Sequence, residues 1–189
     1  MSTQAITSPV GELQWVFIDG EGREDLSGNK KYSTSLVLDA ETAAPFIAKI
    51  QEFWEDFKPK GLGAPKSTGY KEVDGDRFSF TFKTNPVYQD GTAKVVDIYN
   101  AKANKISLGG KKIGNGSKGS VSGAMGIYNA PGNQAGVTLY LNAVQLVKFV
   151  EFAGGASFEA QAEGGFEGLD DSTAEFTEQS TEVEARPKL

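Results

Sequence analysis

Apolar residues recur at two spacings along this chain. In RFSFTFK (77–83), Phe78, Phe80 and Phe82 alternate with Arg77, Ser79, Thr81 and Lys83. A strand turns successive side chains to opposite faces, so the three phenylalanines share one face. The same period predicts a strand over 12–19 (ELQWVFID), with Leu13, Trp15 and Phe17 on one side, and further strands over 32–39 and 93–100. Small and larger residues alternate over 117–129, where Val121, Met125 and Ile127 are core candidates. The longest apolar stretch, 136–152, alternates at Val137, Leu139 and Leu141 and then continues through an expected bend or bulge. Between the second and third strands the period changes. Phe46, Ile47, Ile50, Phe53, Trp54 and Phe57 form one stripe at helical spacing, which predicts an amphipathic helix. Thr42 is the expected N-cap, with Pro45 in the first turn, and Pro59 and Gly61 end the helix. Trp54 is assigned to the core, because the stripe already accounts for it.

The connecting segments are polar and rich in glycine. Residues 20–31 read as a loop, and 58–76, which carries Lys58, Lys60, Lys66, Tyr70 and Lys71, as a long one. Glycine supplies 23 of the 189 residues, which favours many turns over a helical bundle. One helix interrupts five or six strands rather than alternating with them. That pattern disfavours a doubly wound sheet. It predicts a mainly β fold, an antiparallel barrel of the oligonucleotide-binding (OB) type with one inserted α-helix. The barrel domain is expected over 1–155. Beyond it, 156–189 has acids, scattered aromatics and no period, and is expected to be a disordered acidic tail.

Charge divides the chain in the same place. Residues 159–189 hold nine acids and two bases, whereas 91–148 hold seven lysines and the single acid Asp97. A basic half-domain followed by an acidic end suggests a polyanionic partner. Asp97 is expected to pair with a neighbouring base. There is no histidine and no cysteine, so the commonest general base, thiolate chemistry and the usual zinc ligands are all missing. An enzyme acting on phosphorylated substrates is therefore disfavoured. No cofactor or metal is expected. The Glu72, Asp74, Asp76 cluster lacks the rest of a calcium loop and reads as a polar turn. No apolar run approaches the roughly 20 residues of a membrane span. The N-terminus has no signal core. The expectation is a cytoplasmic protein with no membrane partner.

Gly114, Gly116 and Gly119 in GGKKIGNGSKGS (109–120) match the spacing G-x-G-x-x-G. A dinucleotide loop needs a helix directly after its glycines. Here a strand pattern with Gly123 and Gly126 follows, so that reading is rejected. The alternative is a basic turn whose lysines track a sugar–phosphate backbone, with tyrosines nearby on which bases stack. The candidate DNA-binding residues are Lys83, Lys94, Lys105, Lys111, Lys112 and Lys118 for phosphates, and Tyr70, Tyr88 and Tyr128 for bases.

From Ile113 to Phe152 the chain carries Gly116-Ser117, then Tyr128, then the turn Gly132-Asn133. A long strand follows from Gly136-Val137 through Val144-Gln145. Earlier, DRFSFTFKTNPVYQDG (76–91) places aromatics after a strand that ends in a basic residue. These features resemble phage single-stranded DNA-binding proteins, over roughly residues 5–170. The resemblance implies an OB-fold that binds single-stranded DNA without sequence preference in phage replication and recombination, in the cytoplasm of the host cell. It also implies an acidic tail that competes with DNA and contacts phage or host replication proteins. This chain departs from the family at its end, EARPKL, where well-known members finish in acids and an aromatic. The resemblance therefore implies a diffuse acidic mimic of DNA rather than recruitment through a terminal aromatic. A homodimer is left open. The alternative class is a structural module that uses the barrel to bind other proteins.

Overall fold

Alternation in the sequence becomes a closed wall in space. The computed structural model describes residues 2–25 and 28–154. The expected tail, 156–189, lies outside the described residues. In chain order the elements are β1 (Thr3–Thr7), β2 (Gly11–Phe17), β3 (Arg23–Glu24), β4 (Lys30–Asp39), α1 (Ala40–Phe57), β5 (Tyr70–Val73) and β6 (Arg77–Thr84). They continue with β7 (Asp97–Tyr99), β8 (Lys105–Ile106), β9 (Ser117–Ala130) and β10 (Gln134–Lys148). Five strands close on themselves in the order β2-β4-β6-β10-β9 and back to β2. Closure removes the sheet edges that would otherwise be left unpaired. Four of the five seams are antiparallel. The fifth, between β6 and β10, is parallel and short, through Leu139↔Phe82 and Tyr140↔Lys83. The expected OB-type barrel with one inserted helix is thus borne out, with that single parallel seam added.

The inner face is what the period predicted. Phe80, Phe82, Leu36, Val121, Met125, Val137, Leu139 and Leu141 are all essentially inaccessible. Helix α1 covers one end of the barrel through Ala43, Phe46, Ile50, Phe53 and Trp54. Phe46 meets Phe80 edge-on at 5.0 Å between ring centres, a favoured aromatic geometry. Trp54 is a core residue, and its indole N–H donates to the Gly63 carbonyl at 3.0 Å. The helix starts earlier than expected, because β4 runs straight into it. Asp39, not Thr42, is the N-cap, and its carboxylate accepts from the Thr42 N–H at 2.8 Å. Those bonds hold the Asp39 carboxyl below the usual carboxylate range. Pro45 consequently sits in the second turn.

Strands β9 and β10 form a long hairpin whose turn passes through Gly132 and Asn133, both at positive φ. The bend expected in the last strand is present as register shifts between Leu141 and Ala143 and between Leu146 and Lys148. Glycine is required where the two strands press together. A Cβ on Gly123 would lie 1.8 Å from the Tyr140 carbonyl oxygen, and one on Gly119 2.0 Å from that of Gln145.

Four differences from the sequence reading stand out. The N-terminal segment pairs with β9 as β1, an edge strand too polar to show in the pattern. The 58–76 loop contains β5, and the 20–31 loop contains β3. The strand expected over 93–100 shrinks to Asp97–Tyr99, leaving Lys94 and Val95 outside regular structure. Last, Trp15 and Phe17 do not share Leu13's inward face. The β2–β4 register shifts between Gln14 and Phe17, and Trp15 has a φ of 52°. A bulge inserts one extra residue and breaks the alternation. Among the described residues no helix is long and apolar enough to cross a membrane.

Candidate nucleic-acid interface

Because Leu36, Phe80 and Phe82 point inward, their neighbours on β4 and β6 turn outward. Ser35, Val37, Ser79, Thr81 and Lys83 therefore share the outer face, in register through Ser35↔Thr81, Val37↔Ser79 and Ser33↔Lys83. Two adjoining cavities run across this face. One, of about 290 Å³, is lined by residues that include Gln14, Trp15, Ser35, Lys71 and Arg77. The other, of about 260 Å³, includes Ser67, Gly69, Lys83 and Thr138. Lys71, Ser79 and Thr81 belong to both, so the two form one groove from β2 to β10. Val37 and Ser79, both nearly covered, lie at its floor. Its walls carry hydroxyls, the Gln14 amide, the rings of Trp15 and Tyr70, the cations Lys71, Lys83 and Arg77, and the Asp74 carboxylate. Arg77 is paired with Asp74, whereas Lys71 and Lys83 make no ion pair among the described residues. Gln14 is tied to Glu12, its amide nitrogen donating at 2.7 Å.

A second groove, of about 520 Å³, lies on the other side of the β2 bulge, where Val16 and Ile18 replace Trp15 as wall residues. Its lining includes the apolar Val96, Ile98, Leu108 and Ile113, and it takes in Lys94, Lys105, Lys111 and Lys112. Four of the six lysines singled out from sequence thus meet in one place. Two of them are already neutralised. Lys105 pairs with Asp97 at 2.7 Å, as expected for Asp97, and that bond raises the Lys105 pKa. Lys111 pairs with Glu151 at 2.8 Å. The Lys94 ammonium donates to the Thr84 hydroxyl at 2.7 Å and lies 5.7 Å from the centre of the Tyr88 ring, a cation–π distance. Burial pushes its pKa down. Tyr88 itself is more than half exposed.

The other candidates fall elsewhere. Lys83 lies in the outer-face groove. Lys118 is exposed on β9, in register with Glu12. Tyr128, half-buried, lies over Gly136, where a Cβ would come within 2.8 Å of its ring. Tyr70 is half-buried, its ring 5.5 Å from Phe80 and 6.4 Å from Phe78, and it also lines the outer-face groove beside Ser67, Lys71 and Lys83. Its register partner is the inward-facing Phe80. Sequence reasoning missed Gln14, Trp15, Lys71 and Arg77. Lys71 was visible as one of several lysines in a loop, but nothing local showed that β5 would lift it onto the face of β6. Of the Glu72, Asp74, Asp76 cluster, Asp74 and Asp76 lie in the turn after β5 while Glu72 lies within β5, and no group of metal-ligating side chains occurs among the described residues.

No protein-family model matches the chain, and no curated protein matches it in sequence. Solved structures share its fold. The single-stranded DNA-binding protein gp2.5 of bacteriophage T7 superposes with a TM-score of 0.64 at 19% identity, covering 88% of this chain and all of that one. The single-stranded DNA-binding protein of bacteriophage Enc34, in complex with single-stranded DNA, gives 0.59 at 16% identity, over 79% of this chain and 89% of that one. A C-terminal truncation of the Enc34 protein gives 0.59 at 17%, over 78% and 87%. At these identities the likeness is one of fold, and the fold is that of the phage proteins the sequence resembles.

Proposed function

We propose that this protein binds single-stranded DNA without sequence preference and performs no chemistry on it. The observation that carries the reading is the groove across β2, β4, β6 and β10, where Lys71 and Lys83, without an ion pair among the described residues, stand along walls of hydroxyl and amide groups. In OB-folds this face, the second and third barrel strands, is the one that takes oligonucleotides. The neighbours of like fold are single-stranded DNA-binding proteins by name, one of them with DNA bound. Cations in the groove would replace the counterions of the phosphates, a contribution blind to sequence. Hydroxyl and amide groups can donate or accept, so they tolerate any base edge. The lysine groove offers a second track for backbone leaving the first, through Lys94 and Lys112, with Tyr88 beside it.

The biological setting follows from the same resemblance. The protein would protect single strands during phage replication and recombination in the host cytoplasm. Its acidic segment, 159–189, with nine acids against two bases, would compete with DNA for the cations and meet replication proteins. The test is fluorescence anisotropy with labelled oligo-dT and a duplex of equal length, at several salt concentrations. Preference for the single strand, with affinity falling steeply as salt rises, supports the reading. Equal binding of both, or salt-insensitive binding, overturns it.

A further inference from the structure

We infer that Trp15 is a base-stacking platform of the outer-face groove, set in place by the β2 bulge and by Asn115; the inference rests on the single-strand reading above. Trp15 is 57% exposed although it sits in a strand whose preceding alternate residue, Leu13, is fully buried. Its φ of 52° lies in the left-handed region, which is sparsely populated by bulky residues. Such strain persists only where neighbouring structure enforces it. Here the enforcing group is distant in sequence. The Trp15 N–H donates to the Asn115 side-chain oxygen at 2.8 Å. Asn115 stands in the glycine turn that failed as a nucleotide loop, and that turn is pinned in its own right. The Gly114 N–H donates to the Val150 carbonyl at 2.8 Å, and the Ser117 hydroxyl donates to the Gly114 carbonyl at 2.8 Å.

The arrangement gives nothing to the core. Continued alternation would have buried this residue with Leu13. The bulge instead places a large apolar ring system in the wall of the cavity that also holds Gln14, Ser35, Lys71 and Arg77. An indole beside Lys71, which makes no ion pair among the described residues, suits a single strand, since every base has a π-face to stack and a phosphate on either side. The role is sequence-tolerant, in keeping with the hydroxyl walls of the groove.

Intrinsic fluorescence tests the assignment directly. The chain has two tryptophans, and Trp54 is 3% exposed with its indole N–H bonded inside the protein. Emission from a solvent-exposed indole therefore reports Trp15. Unlabelled oligo-dT is titrated into the full chain while binding is followed in parallel by the anisotropy of labelled oligo-dT. The expected result is quenching in step with binding. Trp15→Ala and Trp15→Asn should lose the quenching and weaken binding by roughly 5- to 150-fold, the range for one stacked base. Asparagine tolerates the left-handed backbone, so Trp15→Asn should melt no lower than the wild type, which separates lost stacking from lost fold. Binding that leaves tryptophan emission unchanged, or wild-type affinity in Trp15→Asn, overturns this assignment and leaves the single-strand reading standing. Absence of any anisotropy change at low salt overturns both.

Discussion

Replacing Lys71 and Lys83 together by alanine should flatten the salt dependence of DNA binding, whereas replacing Lys105 and Lys111 should barely alter it. Both pairs are exposed lysines, and sequence alone favours the second. The structure separates them by what already neutralises their charge. Lys105 and Lys111 each hold a carboxylate, at 2.7 and 2.8 Å, so a phosphate arriving there displaces a protein anion rather than a free counterion. Lys71 and Lys83 line the outer-face groove and make no ion pair among the described residues. Each phosphate contact on a single strand contributes about 0.7 to the slope of log affinity against log salt. Loss of two contacts should therefore reduce the slope by about 1.4. Between about 0.05 and 0.2 M salt, the affinity deficit of Lys71→Ala/Lys83→Ala should shrink about sevenfold. Lys105→Ala/Lys111→Ala should change the slope by less than about 0.7. Substitutions at such exposed positions generally change stability by less than about 0.5 kcal/mol, so folding does not confuse the comparison. The assay is anisotropy of a labelled oligo-dT across a salt series for the three proteins. An unchanged slope in the first variant with a flattened slope in the second would refute the reasoning and move the DNA path to the lysine groove.

Four other outcomes are expected. Phe80→Ala removes a fully buried ring that packs on Phe46 and Tyr70, and should cost about 3–5 kcal/mol in urea unfolding. Gly123→Ala places a methyl 1.8 Å from the Tyr140 carbonyl oxygen; forcing β9 off β10 should cost at least the roughly 1–3 kcal/mol of an overpacked core, seen as a lower melting midpoint. The Asp39 carboxyl is held below its ordinary value by its bonds to Thr42, so its stabilising contribution is present above the unfolded-state pKa and disappears as pH falls through the lower folded one. Asp39→Asn keeps a good cap without that titration, and its acid-unfolding curve followed by circular dichroism should be the less pH-dependent across that window. Deleting 156–189 should tighten oligo-dT binding at low salt and have little effect at high salt, where screening weakens competition by the acids; equal affinity at low salt would leave the segment a solubilising role.

How much of this was legible depended on distance along the chain. The phenylalanines of β6, the stripe of α1 and the alternation of β9 and β10 are local patterns, and each reappears as the buried face of its element. The bulge at Trp15 was hidden because Leu13, Trp15 and Phe17 look like three equal members of one face. Only pairing with β4 and the Asn115 contact, a hundred residues away, distinguish the middle one. The lysines illustrate the same limit. Their density between 91 and 148 was plain, but whether each was free or already paired depended on Asp97 in β7 and Glu151 beyond β10. Lys71 looked like a loop residue until β5 placed it opposite Ser79.

Barrel closure also sets an order in time. Both late seams, β9 to β2 and β10 to β6, involve strands that leave the ribosome last among the described elements. Until then the nascent chain has only an open sheet, with β2 an unpaired edge, β6 covered by β5 only over Arg77–Phe80, and no Thr138 wall to the groove. Open edges invite pairing with other chains. A chain cut short within β10 should therefore appear as an aggregating fragment rather than a weak binder. In the intact chain, the surface proposed to meet DNA is completed in the same step that removes the risk of aggregation.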